Sequence, residues 1–337
     1  MSEKMSDTPQ VTQDERTTSR MKRRLFALLA LLLLLLCVAS LWIYYLRTRK
    51  PLSTALPPAP VVAQAFKPHY LFSIYGVDRP LGIAVSPDGN YIYVTESAGE
   101  RLIKVFDREG QFVQAFAPPD TRPAERAPVY IAVDLLGRVY VTDRRRFTLF
   151  VFDREGNLLN QFSPPAGEDF WTPLGVNFVR GELLVTDVTK EKHRVMVFDL
   201  EGNLQMSFGK EGGENGEFWF PNAVVRDDVG NFYVSDGNNG RLQVLDPEGQ
   251  FLYAVRGLNL PRGMAIDTEK RLFLVDAVAH QVRVYSLASQ PIVPLYEFGD
   301  VGIGDGEFKY PNDIAVDATG RLYITDRENN RIQVWSY

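Results

Sequence analysis

The residues of this chain that could do chemistry come at a fixed beat. Glu96, Asp143, Asp187, Asp236, Asp276 and Asp326 each end a short apolar stretch, and Pro80, Pro128, Pro173, Pro221, Pro261 and Pro311 open the stretch before it. Directly after the prolines stand Leu81, Val129, Leu174, Asn222, Arg262 and Asn312, followed by Gly82, Tyr130, Gly175, Ala223, Gly263 and Asp313. Oxygen ligands from Glu96, Asn222, Asn312 and Asp313 could hold Ca²⁺ and polarise a lactone or ester. Arg262 sits among them and opposes a cation, and no general base accompanies the set. A zinc site needs clustered histidines, whereas His69, His193 and His280 fall in separate repeats. A nucleophilic triad has no support, because the one cysteine, Cys37, lies in an apolar run. The recurring acids are better read as acceptors for their own loops or for an arginine of the same repeat. Recognition chemistry remains. Tyr130, Trp171, Trp219, Asn222, Arg262, Asn312 and Asp313 supply the aromatic, arginine and amide anchors that binding loops use. Arg144, Arg145 and Arg146, on a loop after the second strand, read as a solvated loop tip rather than the alternative, an anion site.

These residues must be positioned by a repeating unit. The prolines are 40 to 50 residues apart, and each repeat holds an apolar strand, a polar turn, a second strand ending in the acid, a loop and a third strand. Alternating Ile, Val, Tyr and Phe suit half-buried strands, and turns such as Asp107-Arg108-Glu109-Gly110 suit hairpins. A period in the forties with several short strands is the mark of a β-propeller blade. Five copies add a fourth strand, such as Phe112–Phe116 or Phe251–Val255, and the sixth stops at Tyr337 after its third. Tyr70–Gly76 resembles the fourth strand Leu295–Gly299, so it is expected to complete the last blade and pair its exposed edge. The expectation is an all-β chain: a six-bladed β-propeller of four-stranded blades over residues 69–337, closed by the N-terminal strand. The proline starts and the loops after the acids then share one face, here the top; the Asp-Arg-Glu-Gly turns lie on the bottom.

Residues 25–46 are 22 uncharged, mostly apolar positions, long enough to span a bilayer as a helix. The basic residues Arg16, Arg20, Lys22, Arg23 and Arg24 precede it, and Arg47, Arg49 and Lys50 follow, which favours an N-terminus inside and a propeller outside. Val38-Ala39-Ser40 loosely fits a cleavage site, but the apolar run continues to Leu46, which favours an uncleaved anchor. Residues 1–24 read as a disordered cytoplasmic tail and 47–68 as a proline-rich linker. The propeller has no cysteine and no Asn-x-Ser/Thr acceptor, as expected of an extracytoplasmic domain of a prokaryotic cell membrane protein. Ten of the 37 Lys/Arg and four of the 42 Asp/Glu precede residue 69, leaving the propeller 27 against 38, a net charge of −11. That sign disfavours nucleic acid.

Two segments carry a family resemblance. FGKEGGENGEFWFPNAVV at Phe208–Val225 and FGDVGIGDGEFKYPNDIAV at Phe298–Val316 are followed by YVSDGNNGRLQV and YITDRENNRIQV, with Gly-rich loop, Pro, Asp and Arg in register. In these the chain resembles the NHL-repeat family, over about 270 residues. SPDGNYIYVTE in the first repeat is similar to YVTN-type propellers, while repeats 2, 3 and 5 are degenerate; Gln281 stands where Arg241 and Arg331 stand. The resemblance implies a propeller whose relatives include binding and sensor domains, RNA-binding propellers of tripartite-motif proteins, and enzymes such as gluconolactonases and amidating lyases. Fold alone does not choose among these. The expectation from the residues is a membrane-anchored module, not an enzyme and without a cofactor, that binds a protein, peptide or cell-surface polymer through its top face. The alternative is a metal-dependent lactonase, hydrolase or lyase.

Overall fold

Each of the first five repeats becomes one four-stranded antiparallel sheet with its strands in chain order, and the sixth forms such a sheet together with the N-terminal strand. The computed structural model describes residues 67–337, together with Leu32, Leu35, Leu36 and Ala39, which have helical backbone. Among the described residues no helix is long and apolar enough to cross a membrane. The expected tail, span and linker otherwise lie outside the described residues.

Blade 1 comprises Pro80–Val85, Tyr91–Glu96, Ile103–Asp107 and Phe112–Phe116; blade 2 comprises Pro128–Val133, Val139–Asp143, Thr148–Phe152 and Leu158–Phe162. Blade 3 is Pro173–Val179, Glu182–Asp187, Arg194–Phe198 and Leu204–Phe208, and blade 4 is Pro221–Arg226, Phe232–Asp236, Arg241–Leu245 and Phe251–Arg256. Blade 5 is Pro261–Ile266, Arg271–Asp276, Gln281–Ser286 and Val293–Phe298. In blade 6, Pro311–Val316, Leu322–Asp326 and Arg331–Ser336 are joined by His69–Ile74, with Tyr70 opposite Trp335 and Ile74 opposite Ile332. The N-terminal strand thus completes the last blade, as its resemblance to a fourth strand predicts. The sheet edge it covers would otherwise be open to wrong pairing.

Turn chemistry sets where strands end. In the bottom turns Asp107, Asp199 and Asp246 each accept from the amides two and four residues on, the side chain mimicking a turn of backbone. Asp134, Asp227 and Asp317 do the same between first and second strands, and each also takes a tyrosine hydroxyl, from Tyr140, Tyr233 and Tyr323.

The core is six walls, one between each pair of neighbouring blades. One cluster joins blades 1 and 2 around Tyr93 and Phe150; another joins blades 2 and 3 around Tyr140 and Trp171; a third joins blades 6 and 1 around Ile92 and Tyr323. The remaining three interfaces are filled in the same way. The long loops before blades 4 and 6 contribute the buried Phe218 and Phe308 to these walls. Burial peaks at the second strands, is lower on the first strands that line the channel, and is least on the outer fourth strands.

Candidate functional site

The first strands line the central channel, and their opening residues build its upper end as two rings. The upper ring is Leu81, Val129, Leu174, Asn222, Arg262 and Asn312, the six residues that follow the prolines. They line one depression of about 1000 Å³, the mouth of the channel. Below it the narrower channel, about 230 Å³, is lined mostly by apolar residues of the first strands, together with Tyr130, Asn177 and Asp313.

The second ring alternates glycine with larger residues: Gly82, Tyr130, Gly175, Ala223, Gly263 and Asp313. A Cβ on Gly82 would stand 2.5 Å from the Val129 carbonyl and 2.8 Å from the Tyr130 Cα; on Gly263 it would stand 2.6 Å from the Asp313 Cα. Glycine is thus required wherever the next blade presses in. The gaps are bridged by hydroxyls: Thr95 donates to the Val129 carbonyl, Thr142 to that of Leu174 and Thr325 to that of Leu81.

Polar contacts hold one half of the upper ring rigid. Asn222 Nδ2 donates to the Pro261 carbonyl at 3.2 Å, and Arg262 Nη1 donates to Asn222 Oδ1 at 3.1 Å. Asn312 Nδ2 donates to the Leu81 carbonyl at 3.1 Å. Leu81, Val129 and Leu174, with Phe147 and Phe220, give the other half an apolar wall. Asp313 is buried in the neck and accepts from the Ile83 amide at 3.0 Å; desolvation raises its carboxyl to about 8 despite the opposing amides of Ile83 and Ile314. The Tyr130 hydroxyl has no hydrogen-bond partner, and burial pushes its pKa up.

The expected recognition residues therefore divide. Asn222, Arg262 and Asn312 meet at the mouth, and Tyr130 and Asp313 lie beneath it in the channel. Trp171 is not on the face. It is fully buried between blades 2 and 3, edge-on to Phe198 at 5.8 Å, because the loop carrying it folds its largest apolar side chain into the interblade wall. Trp219 is half exposed but does not line the mouth. Arg144 and Arg145 are exposed, as a solvated loop tip predicts, and they also line the mouth together with Arg101 and Arg327. Only the ring closure reveals this, since these arginines come from the loops of three different blades.

The recurring acids serve the blades. Arg241 pairs with Asp236 and Arg331 with Asp326, each at 2.7 Å and deeply buried, and Arg194 pairs with Asp187 at 3.1 Å. Where Gln281 replaces that arginine, Arg283 reaches Asp276 from two residues further along the strand, on the same face. Lys104 serves Glu96 from the corresponding rung. Asp143 is held by the amides of Ala127, Arg145 and Arg146. His193 and His280 accept from the backbone amides of Phe220 and Tyr310, each clipping the following interblade loop.

The Ca²⁺ set does not fit a cation. Arg262 points a donor at Asn222 Oδ1, Lys104 and the Asp78 amide hold Glu96 through Oε1 and supply it with a cation already, and Asp313 lies below the ring on backbone amides. Among the described residues no group of three or more His, Cys, Asp or Glu could hold a metal ion.

With this geometry in view, the chain can be compared with known proteins. The model of the NHL repeat matches residues 308–335. NHL repeat-containing protein 3 of Mus musculus is 29% identical over 75 residues, covering 22% of each chain. Protein lin-41 of Caenorhabditis elegans is 48% identical over 42 residues, covering 12% of this chain and 4% of that one. The similarity thus spans less than a quarter of these relatives. Among solved structures, a catalytically inactive virginiamycin B lyase from Staphylococcus aureus, solved with quinupristin, superposes with a TM-score of 0.55 at 16% identity, over 80% of this chain and 84% of that one. At that identity the likeness concerns the fold. One NHL repeat is thus matched in the last blade, and with five further cassettes around the ring the chain is a six-bladed β-propeller.

Proposed function

We propose that this protein is a binding module whose ligand, a segment of a protein or peptide, sits in the mouth of the channel. The observation that carries this is the convergence of all six post-proline residues, one from each blade, on a single depression whose polar half is already hydrogen-bonded in place. A rigid ring carrying variable side chains fits recognition, because little order has to be gained on binding. The acids that could have supplied catalysis are engaged in holding loops. In this proposal residues 25–46 anchor the module in a cell membrane with the propeller on the extracytoplasmic side, for which the flanking basic residues speak.

A photo-crosslinking residue placed at Leu81 or Leu174 should capture a discrete adduct in the source cell, while one at Glu155 or Leu136 on the bottom turns should not. Adducts confined to the bottom turns would overturn the proposal. Protease added outside intact spheroplasts should release the propeller by cutting within 51–68; protection until the membrane is opened would reverse the orientation.

A further inference from the structure

We infer that the mouth takes an acidic peptide segment, its carboxylates on the arginine side and its apolar side chains on the opposite wall, a reading that rests on the mouth being the ligand site. Arg101, Arg144, Arg145, Arg262 and Arg327 line the mouth, and among the described residues no Asp or Glu does. Neutral groups hold these cations. Arg101 donates to the carbonyls of Pro123 and Arg126, Arg262 to the Asn222 amide, and Arg144 and Arg145 are exposed. Arg327 Nε stands 3.6 Å from Glu328, whose carboxylate is bound instead by Arg79. Among the described residues Glu328, shared with Arg79, is thus the one carboxylate within ion-pair reach of these five cations, and the mouth keeps a net positive charge.

Two donors are left waiting. The Nε atoms of Arg262 and Arg327 are buried without a hydrogen-bond partner. A buried donor left unmade is unfavourable, and a carboxylate is the acceptor a guanidinium satisfies best. Burial lowers the Arg327 pKa, and repulsion from Arg79 and Arg262 lowers it further against the partial offset of Glu328, so an incoming anion would ease the repulsion between these cations. Asp313, held near 8 beneath the ring, is mostly protonated at neutral pH and offers little offset.

Charge also limits the size of the ligand. The propeller carries a net −11, so a long polyanion running beyond the mouth would meet repulsion over the rest of the surface. A short segment confined to the mouth meets only arginine and amides on one side. On the other it meets Leu81, Val129, Leu174, Phe147 and Phe220. Acidic and apolar side chains in one short peptide match both halves, and charge complementarity gives such binding its selectivity.

The test is a selection of short random linear peptides on the full chain, repeated on Arg262→Ala/Arg327→Ala, on Asn222→Asp and on Leu81→Trp. Peptides selected on the wild type should be enriched in Asp and Glu next to apolar residues, and their binding should weaken steeply as salt rises. Asn222→Asp, which supplies Arg262 with a carboxylate of its own, and the double arginine variant should each weaken the selected peptides by about tenfold or more. Leu81→Trp, which fills the mouth and leaves its charges, should abolish binding; Leu174→Trp replaces it if that variant does not fold. Selected peptides without acidic enrichment that Leu81→Trp nevertheless blocks would overturn the acidic ligand and leave the mouth as the site. Peptides indifferent to Leu81→Trp would overturn both. Failure to select any peptide, or tighter binding of single-stranded RNA than of every selected peptide, would overturn the acidic peptide.

Discussion

Arg262 of blade 5 is oriented by Asn222 of blade 4, which accepts from its Nη1 at 3.1 Å and donates in turn to the carbonyl of the residue before it, Pro261. The exchange ties the cation to the neighbouring blade and turns its Nε away from every protein acceptor. Lysine could not reproduce it, having neither the planar fork nor a second donor atom fixed in direction.

The buried pairs Asp236–Arg241 and Asp326–Arg331 should be strong supports that tolerate little truncation. Arg331 also reaches the carbonyls of Gly304 and Glu307 at 2.7 and 2.8 Å, fastening the last interblade loop. Arg331→Ala leaves the buried Asp326 carboxylate without a counter-charge, held only by the Lys309 amide, Asn329 and Gln333, and should lower stability by about 3 kcal/mol. Urea unfolding of the variant beside the wild type measures it; a loss below about 1 kcal/mol would mean the loop holds without the pair.

Asp313 should make stability fall with rising pH. Its folded value, about 8, lies above the ordinary 3.8, so between those limits the folded protein keeps a proton that the unfolded chain has released. The contribution is complete below about pH 4, declines through the window and is level above about pH 8. Asp313→Asn removes this dependence, and its stability relative to the wild type should therefore improve from pH 5 to pH 8. An unchanging difference between the two proteins at those pH values would show the carboxyl to be ionised throughout.

The two loop tryptophans should behave oppositely. Trp171→Ala opens a cavity between blades 2 and 3 and should destabilise by roughly 3–5 kcal/mol. Trp219→Ala, at a half-exposed position, should stay within about 0.5 kcal/mol. Thermal unfolding of both variants separates these outcomes, and equal losses would contradict the burial difference.

Removing residues 69–76 should leave Arg331–Ser336 as an open edge, with aggregation or loss of cooperative unfolding as the readout. A truncated chain that unfolds like the intact one would show that the ring stands without its closing strand.

The architecture was legible because it is repetitive. The proline spacing, the strand-ending acids and the likeness of Tyr70–Gly76 to a fourth strand each pointed to six blades closed by the N-terminus. The mouth was legible only in part. Asn222, Arg262 and Asn312 stand at equivalent repeat positions, so counting from the prolines finds them. Arg144 and Arg145 were legible as solvent-facing residues of a top loop, which they are; that they also border the mouth depends on how loops of different blades lean toward the axis, which no local pattern encodes. Trp171 was misplaced for the converse reason, since a large aromatic on a long loop has the same signature whether it plugs a wall or meets a partner. Gln281 marked a missing cation, but the period-2 geometry that lets Arg283 take over appears only with the register.

The alternation of Gly82, Tyr130, Gly175, Ala223, Gly263 and Asp313 around the neck carries a rule of parity. Each protruding residue is received by a glycine in the blade before it, so the ring behaves as three two-blade units. Gain or loss of a single blade would set two protruding residues, or two glycines, side by side, producing a clash or a void at the narrowest point of the channel. Blades should therefore be added to or removed from this ring in pairs, and an odd-numbered descendant would have to rebuild its neck.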